Sequence, residues 1–135
     1  MAISYQPDTI TAAEFADILH RSGLAGRRPA DDLPRLARML KGASLLVTAR
    51  DEASGTILGI ARAITDHAYA CYLADLAVDR AVQGQGIGTR LIDLTRELAG
   101  EECMLLLLSA PASLEFYRRI GMPRVDNAFL FPRSR

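Results

Sequence analysis

The chain has 135 residues, half of them hydrophobic, and its 16 basic and 16 acidic side chains cancel to a formal net charge of zero. That is enough chain for one domain, residues 1–135, with a sizeable core, and too apolar a composition for disorder. Balanced charge without a long basic run excludes non-specific nucleic-acid binding, the apolar runs are too short to cross a bilayer, and the N-terminus lacks the basic region and apolar core of a secretory signal.

Ile3 to Gln6 reads as a short first strand. Thr11-Ala12-Ala13-Glu14 has the form of a capping box, and Phe15, Ile18 and Leu19 then fall on one helical face. Gly23 and Gly26 stop that helix. Asp32 is placed to cap a second helix, with Leu33, Leu36 and Leu40 inward and Arg35 and Arg38 outward. Ser44 to Arg50, Thr56 to Thr65 and Tyr72 to Val78 read as three strands, with Gly59 marking a bulge and Asp66-His67 a turn. Ile87, Leu91, Ile92, Thr95 and Leu98 line one side of a third helix that Gly100 ends. Cys103 to Leu108 is continuously apolar, as a strand covered on both faces would be. Ser113 is placed to cap a short helix through Ile120, and Val125 to Phe131 reads as a last strand. Meander strands come first and a crossover later, an α/β order. Cys71 and Cys103 suggest no disulfide framework, so a reducing, cytoplasmic setting is expected. His20 and His67 are far apart in sequence, and no metal-ligand cluster is expected.

The segment Gln83-Gly84-Gln85-Gly86-Ile87-Gly88 lies between a predicted strand and a predicted helix. That order presents free backbone N–H groups to an anion, and glycines let the anion come close. Three phosphate-binding patterns compete for it. A P-loop requires Gly-x-x-x-x-Gly-Lys-Ser/Thr, but Gly88 is followed by Thr89 and Arg90. A dinucleotide fingerprint requires Gly-x-Gly-x-x-Gly directly after the strand. Here position 89 is Thr, four residues from Asp79 to Val82 intervene, and no acidic residue ends the next strand.

The third pattern fits. Asp75-Leu76-Ala77-Val78, four residues, then Gln83 to Gly88 resembles the acetyl-CoA motif of the GCN5-related N-acetyltransferases (GNAT), Gln/Arg-x-x-Gly-x-Gly/Ala at a helix start. Gln83, Gly86 and Gly88 occupy its fixed positions. Phe116-Tyr117-Arg118-Arg119-Ile120-Gly121-Met122 is similar to the family's late Phe-Tyr-x-x-x-Gly-Phe segment. The order of elements agrees along nearly the whole chain, and the sharp residues lie between Asp75 and Met122. The resemblance implies a central mixed, mostly antiparallel sheet with helices on both faces, splayed between its fourth and fifth strands. It implies acetyl-CoA as acyl donor and a primary amine as acceptor, joined by direct attack on the thioester. The backbone N–H groups of Gln83, Gly84, Gln85, Gly86, Ile87 and Gly88 would hold the CoA pyrophosphate. Thr89 and Phe116 would add cofactor contacts. The main chain of Leu76, Ala77 and Val78 would bind pantetheine like an added strand. The Val78 N–H would stabilise the oxyanion, and Tyr117 would protonate the departing thiolate.

Other positions stay open at this level. Asp75, inside a central strand, needs a partner; it is either a hydrogen-bonded structural carboxylate or a group that orients the amine or a water. Tyr72 stands where some relatives carry a base glutamate. Ala110, before Pro111, stands where many carry an asparagine, with Ser109 and Ser113 the candidates to compensate. Arg27 and Arg28, between the first two helices, are a solvated loop or an attraction for an acidic acceptor. A non-catalytic acyl-CoA sensor would keep the glycine turn; an interaction domain on the same fold that has lost the cofactor is the other alternative, and the intact turn counts against it. The acceptor and the acyl chain length do not follow from the sequence. Apolar late strands are compatible with a homodimer.

Overall fold

A computed structural model describes residues 1–135. Five strands form one sheet in the spatial order β1 (Ile3–Pro7), β2 (Leu45–Asp51), β3 (Ile57–Thr65), β4 (Ala70–Val78) and β5 (Met104–Leu106). The first four are antiparallel neighbours, and β5 joins β4 in parallel. Four helices accompany them: α1 (Ala12–Ser22), α2 (Leu33–Lys41), α3 (Ile87–Ala99) and α4 (Leu114–Arg119). This is the mixed, mostly antiparallel sheet of the expected α/β class.

Local chemistry sets the helix ends. The Thr11 hydroxyl accepts the Glu14 N–H at 3.1 Å, and the Glu14 carboxylate accepts the Thr11 N–H at 2.9 Å, completing the capping box. Gly23, at φ +85°, closes α1. Asp32 caps α2 by accepting the Arg35 N–H at 3.1 Å. In α2 only Leu36 is buried; Leu33 is exposed in the first turn and Leu40 is half-buried. Ser113 stands before α4, but its hydroxyl caps nothing.

Each face of the sheet has its own core. Phe15, Ile18 and Leu19 of α1 and Leu36 of α2 pack with Ile60 and Ala77 on one face. Leu91, Ile92 and Ala99 of α3 pack with Ala61, Ala63 and Leu73 on the other. The ladder has two register shifts. Between β2 and β3 the extra residue is Leu58, next to the glycine that signals it. Between β3 and β4 the shift falls at Arg62/Ala63, and the extra residue is Ala74. A bulge kinks its strand and re-aims the side chains beside it.

Two sequence expectations are corrected. Val125 to Phe131 forms no strand: every residue from Pro123 on is exposed and outside regular structure. A strand needs a paired edge, and this segment has none within its own chain. The predicted strand Cys103 to Leu108 shrinks to Met104–Leu106 and is covered on one face only. Leu105 and Leu107 pack on the α3 core, whereas Met104 and Leu108 are exposed.

Gly59 fixes how closely α3 approaches the sheet. A Cβ there would lie 3.1 Å from the Ala77 carbonyl oxygen and 3.1 Å from Leu91 Cδ1. One obstacle is backbone and the other is a fully buried side chain, so neither yields freely. Gly59→Ala is therefore expected to cost about 1–3 kcal/mol, as overpacked cores do, read as a lower urea midpoint at unchanged slope. A midpoint equal to the parent's would mean that α3 can move outward without loss.

Candidate active site

The glycine turn follows β4 after Asp79 and a single 3-10 turn, Arg80–Val82. Gln83 donates from Nε2 to the Val78 carbonyl oxygen at 3.1 Å, tying the loop to the last strand residue. Asp79 is held by Arg21 of α1, whose Nη1 donates to Oδ2 at 2.6 Å, while Asp79 Oδ1 accepts the Ala81 N–H at 2.9 Å. These bonds lower the Asp79 pKa, the backbone bond most and the Arg21 bond next. Gly84 and Gly86 take φ of +83° and +82°, the left-handed region that glycine enters without cost. A Cβ on either would meet nothing within 4 Å, so the inside of the turn is open. Gly88 serves differently: a Cβ there would lie 2.9 Å from Phe116 Cζ. The glycine turn and the Phe-Tyr segment of α4 thus pack against each other.

The turn leaves its donors free. No backbone N–H from Gln83 through Thr89 has an acceptor in the protein; Arg90, bonded to the Gly86 carbonyl at 3.1 Å, is the first that does. Free N–H groups at a helix start carry the positive end of its dipole. The arrangement can therefore bind an anion by backbone alone.

The edge of β4 is also open. Only Ala70, Cys71 and Tyr72 pair with β5, although β4 pairs with β3 along nearly its whole length. From Leu73 to Val78 the two parallel strands have parted, which is the expected splay. A strand residue directs its N–H and C=O to the same side. The Val78 carbonyl bonds Gln83 rather than β3, so the Val78 N–H faces the gap, as do the groups of Leu76 two residues before. Ala77, between them, is turned to β3 instead, opposite Ile60, and its side chain is 1% exposed. Of the three strand residues named from the sequence, only Leu76 and Val78 offer main chain to the gap.

Asp75 lies on the other face, with its side chain fully buried. Arg28 Nε donates to Oδ1 at 2.5 Å, and Arg62 Nε donates to Oδ2. Arg28 Nη2 also donates to the Ala74 carbonyl at 2.8 Å, and Nη1 to the Arg27 carbonyl at 2.8 Å. Arg62 Nη1 reaches the Met39 carbonyl of α2 at 3.3 Å. Of the two open readings of Asp75, this is the structural one: both oxygens are taken and solvent does not reach them. Arg28 is equally committed, with no free fork for an acidic acceptor. It ties the bulged residue Ala74 to the α1–α2 connection. The sequence gives no sign that Arg62, on a different strand, completes the cluster, nor that Arg21 holds Asp79 across 58 positions.

Tyr117 is half-buried on α4, its ring 5.0 Å from that of Phe116 and edge-on to it. Its hydroxyl makes no hydrogen bond within the protein. Burial raises its pKa above the usual tyrosine value, and the nearby Arg28 charge opposes the shift without cancelling it. The phenol therefore keeps its proton through neutral pH. Ser109 donates to the adjacent Ala110 carbonyl at 2.8 Å and offers no replacement for an asparagine at position 110. His67, at φ +58°, lies in the β3–β4 turn, away from these groups. A surface hollow of about 680 Å³ lined by Asp93, Arg96, Glu97, Gly100, Glu101 and Cys103 lies at the far end of α3 from the turn and shares none of its residues. No group of three or more His, Cys, Asp or Glu side chains is placed to hold a metal ion, and no helix is long and apolar enough to cross a membrane.

Comparison with known proteins bears on the same residues. The sequence profile of the family described as acetyltransferase (GNAT) domain matches residues 41–121. Histone acetyltransferase TAP1 of Glycine max is 40% identical over 67 residues, covering 48% of this chain and 29% of its own length. GCN5-related N-acetyltransferase 2, chloroplastic, of Arabidopsis thaliana is 36% identical over 83 residues, covering 57% and 32%. The chain thus spans about a third or less of the curated relatives it matches. Among solved structures, a Deinococcus radiodurans R1 protein assigned to the acetyltransferases superposes with a TM-score of 0.72 at 26% identity, over 96% of this chain and 87% of that one. A GNAT-family protein of Streptococcus pneumoniae superposes with a TM-score of 0.74 at 20% identity, over 99% and 100%; at that identity the likeness is one of fold.

Asp75 is expected to act through stability. Asp75→Ala removes the one anion between two guanidinium groups, a loss of about 3–5 kcal/mol for a broken buried pair, read by urea unfolding. A change below about 1 kcal/mol, the range of an exposed pair, would mean that the two arginines find other partners.

Proposed function

The chain belongs to the GNAT acetyltransferase family, and on that premise we propose that it moves an acetyl group from acetyl-CoA to a primary amine. The observation that carries this reading is the run of free backbone N–H groups from Gln83 to Thr89, set beside the open edge of β4. The first suits a pyrophosphate. The second suits the amide groups of a pantetheine arm, which would lie along Leu76 and Val78 as a strand lies along a neighbour. Phe116, in contact with Gly88, would wall the arm.

In the proposed reaction the neutral amine nitrogen attacks the thioester carbonyl carbon, and the carbonyl oxygen becomes an oxyanion. The Val78 N–H, aimed into the gap, stabilises that oxygen. A donor fixed before the reaction costs no reorganisation when charge develops. The carbon–sulfur bond then breaks, and sulfur takes the Tyr117 proton. The new ammonium gives its excess proton to water, and Tyr117 regains one from solvent. Asp75 touches none of these atoms. A thiol pKa of about 8.5 makes sulfur a fair leaving group unaided, so the acid's share is modest. Orientation supplies much of the rest.

We place the acceptor among small amines. Zero net charge and the short helices between β1 and β2 suit a small molecule better than a nucleic-acid-associated protein. Two free cysteines suit a reducing compartment such as the cytoplasm.

Thermal melting with acetyl-CoA, with ATP and NAD as controls, tests donor binding. At a ligand concentration of about 100 Kd the linkage gain is about 2.7 kcal/mol, and only acetyl-CoA should raise the Tm. Gly86→Asp should abolish that rise while the protein still folds, because its Cβ meets open space and only the positive φ and the misplaced charge are costly. An equal rise with ATP or NAD would overturn the reading. Catalysis is tested by CoA release across a panel of amines. Tyr117→Phe should lower kcat by about 10–100-fold, at or below the low end for general acids, with CoA affinity unchanged. Because the folded pKa is raised, the parent's rate should hold up to pH values above an ordinary tyrosine's and then fall. The variant should lack that alkaline fall. A protein that binds acetyl-CoA but releases no CoA with any amine, and is indifferent to this substitution, would be an acyl-CoA sensor instead.

A further inference from the structure

One side of the gap beside β4 is filled from within. Leu76, Val78, Phe116 and Tyr117 all pack against the α3 core, so an acceptor reaches the gap from the α1–α2 side. Arg28 stands on that side. Burial raises the Tyr117 pKa, and the Arg28 charge opposes the rise from the opposite face of the sheet. The two groups therefore meet across the opening.

The charged groups on the α1–α2 side sort into two kinds. The carboxylates have partners. Asp75 is held by Arg28 and Arg62, Asp79 by Arg21 and the Ala81 N–H, and Asp17 by Arg21. On the α1–α2 connection, Asp32 caps α2 and Asp31 lies 3.7 Å from His20. Two guanidiniums have none: Arg27 and Arg80 are exposed, and their side chains make no hydrogen bond or ion pair. They flank one 3-10 turn, Leu24–Arg27. Arg80, two residues beyond Val78, lies over its start: a Cβ on Gly23 would sit 3.4 Å from Arg80 Nη1 and 3.6 Å from Cζ. Arg27 ends the turn, and its carbonyl takes Arg28 Nη1, while Arg28 Nη2 holds the Ala74 carbonyl. At about 2 Å of rise per residue, Gly23 and Arg27 are about 8 Å apart, within the span of two arginine side chains.

We propose that Arg27 and Arg80 select the acceptor by binding its carboxylate: the acceptor is an amino acid, whose amino group enters the gap from the α1–α2 side. The inference rests on the acyl transfer proposed above and names the class of its amine. A guanidinium fork matches a carboxylate in shape and in charge. Arg80 presents a fixed fork, because Gly23, without a Cβ, lets the guanidinium lie on its backbone. Asp75 and Asp79 are both engaged, so neither is free to hold an ammonium ion. An amine that carries positive charge alone meets only arginines there. The same field favours the neutral amine, the form that attacks. The zero net charge of the whole chain hides this local excess of unpaired positive charge.

Matched acceptors test it: an amino acid, its carboxamide and the amine left by decarboxylation, such as phenylalanine, phenylalaninamide and phenethylamine. CoA release gives kcat/KM for each, referred to its fraction of neutral amine. The acid should exceed its amide by about 10–100-fold, the worth of a hydrogen bond to a charged group, and added salt should erode that advantage. Arg27→Gln and Arg80→Gln should each bring the acid toward its amide. Both side chains are exposed, so the fold should tolerate the changes, and the ratio within one variant corrects for any loss of folded protein. Saturation-transfer NMR with the same compounds reads the contact without turnover: the acid should give a signal, the amide none, and both variants should lose it. An acid no better than its amide, or a preference that survives both substitutions, overturns the proposal and leaves acyl transfer standing. Loss of the acetyl-CoA-induced rise in Tm in either variant would assign that arginine to the donor's phosphates and overturn it as well. If no amine releases CoA, acyl transfer fails, and the NMR contrast between acid and amide alone decides whether the carboxylate site exists.

Discussion

The structure is organised around a strand that loses its neighbour halfway. β4 is paired with β3 along nearly its full length but with β5 over only three residues. Inside a protein, unpaired backbone groups cost about as much as lost hydrogen bonds, so a gap of this kind must be held open. The means are visible. On the α1–α2 side, Arg28 takes the carbonyl of the bulged residue Ala74. At the end of the strand, Gln83 takes that of Val78. On the α3 side, Phe116 packs on Gly88, so that α4 closes the flank of the glycine turn. The groups left over lie in two sets, at Leu76 and Val78 on the strand and from Gln83 to Thr89 at the helix start, joined by the 3-10 turn Arg80–Val82.

The Arg28–Asp75–Arg62 cluster explains how the gap keeps its shape. A buried carboxylate between two guanidiniums is not a cheap source of stability, since an apolar trio of equal volume often does as well. Its value is directional. Arg28 comes from the α1–α2 connection, Asp75 from the bulge in β4, and Arg62 from β3 while reaching Met39 of α2. The cluster ties the helical layer to the place where register shifts between β3 and β4. An apolar contact would tolerate a slip there. Short, charged hydrogen bonds with fixed forks tolerate much less.

What the sequence disclosed follows from the range of the forces involved. Thr11 with Glu14, Gly23, Asp32 and the glycines of the turn act within a few residues, and each was legible as a local pattern. The meander and the single crossover were legible because hydrophobic period changes along the chain. Asp75 was legible only as a problem, a charge in an apolar strand. Its two partners lie 47 and 13 positions away, and no spacing rule connects them. The tail shows the opposite failure. Val125 to Phe131 has the composition of a strand, and composition reports what a segment tolerates, whereas a strand exists only against an edge. The same limit applies to β5, where a run apolar throughout was read as covered on both faces and is covered on one.

The balance between main chain and side chain in the site also bears on how far such a domain can diverge. The groups that would hold the donor are N–H and C=O groups, and the residues that matter most are those that lack a side chain. Gly84 and Gly86 are required for their φ, Gly88 for the Phe116 ring, and Gly59 for the approach of α3. Almost any sequence that bends the backbone this way keeps the site. This accounts for chains that share the fold closely while sharing only about a fifth to a quarter of their residues. In the proposed reaction, acceptor choice would then fall to side chains and not to this shared backbone. Arg28 would contribute no charge to that choice, since its guanidinium is already spent on Asp75 and on the Ala74 and Arg27 carbonyls.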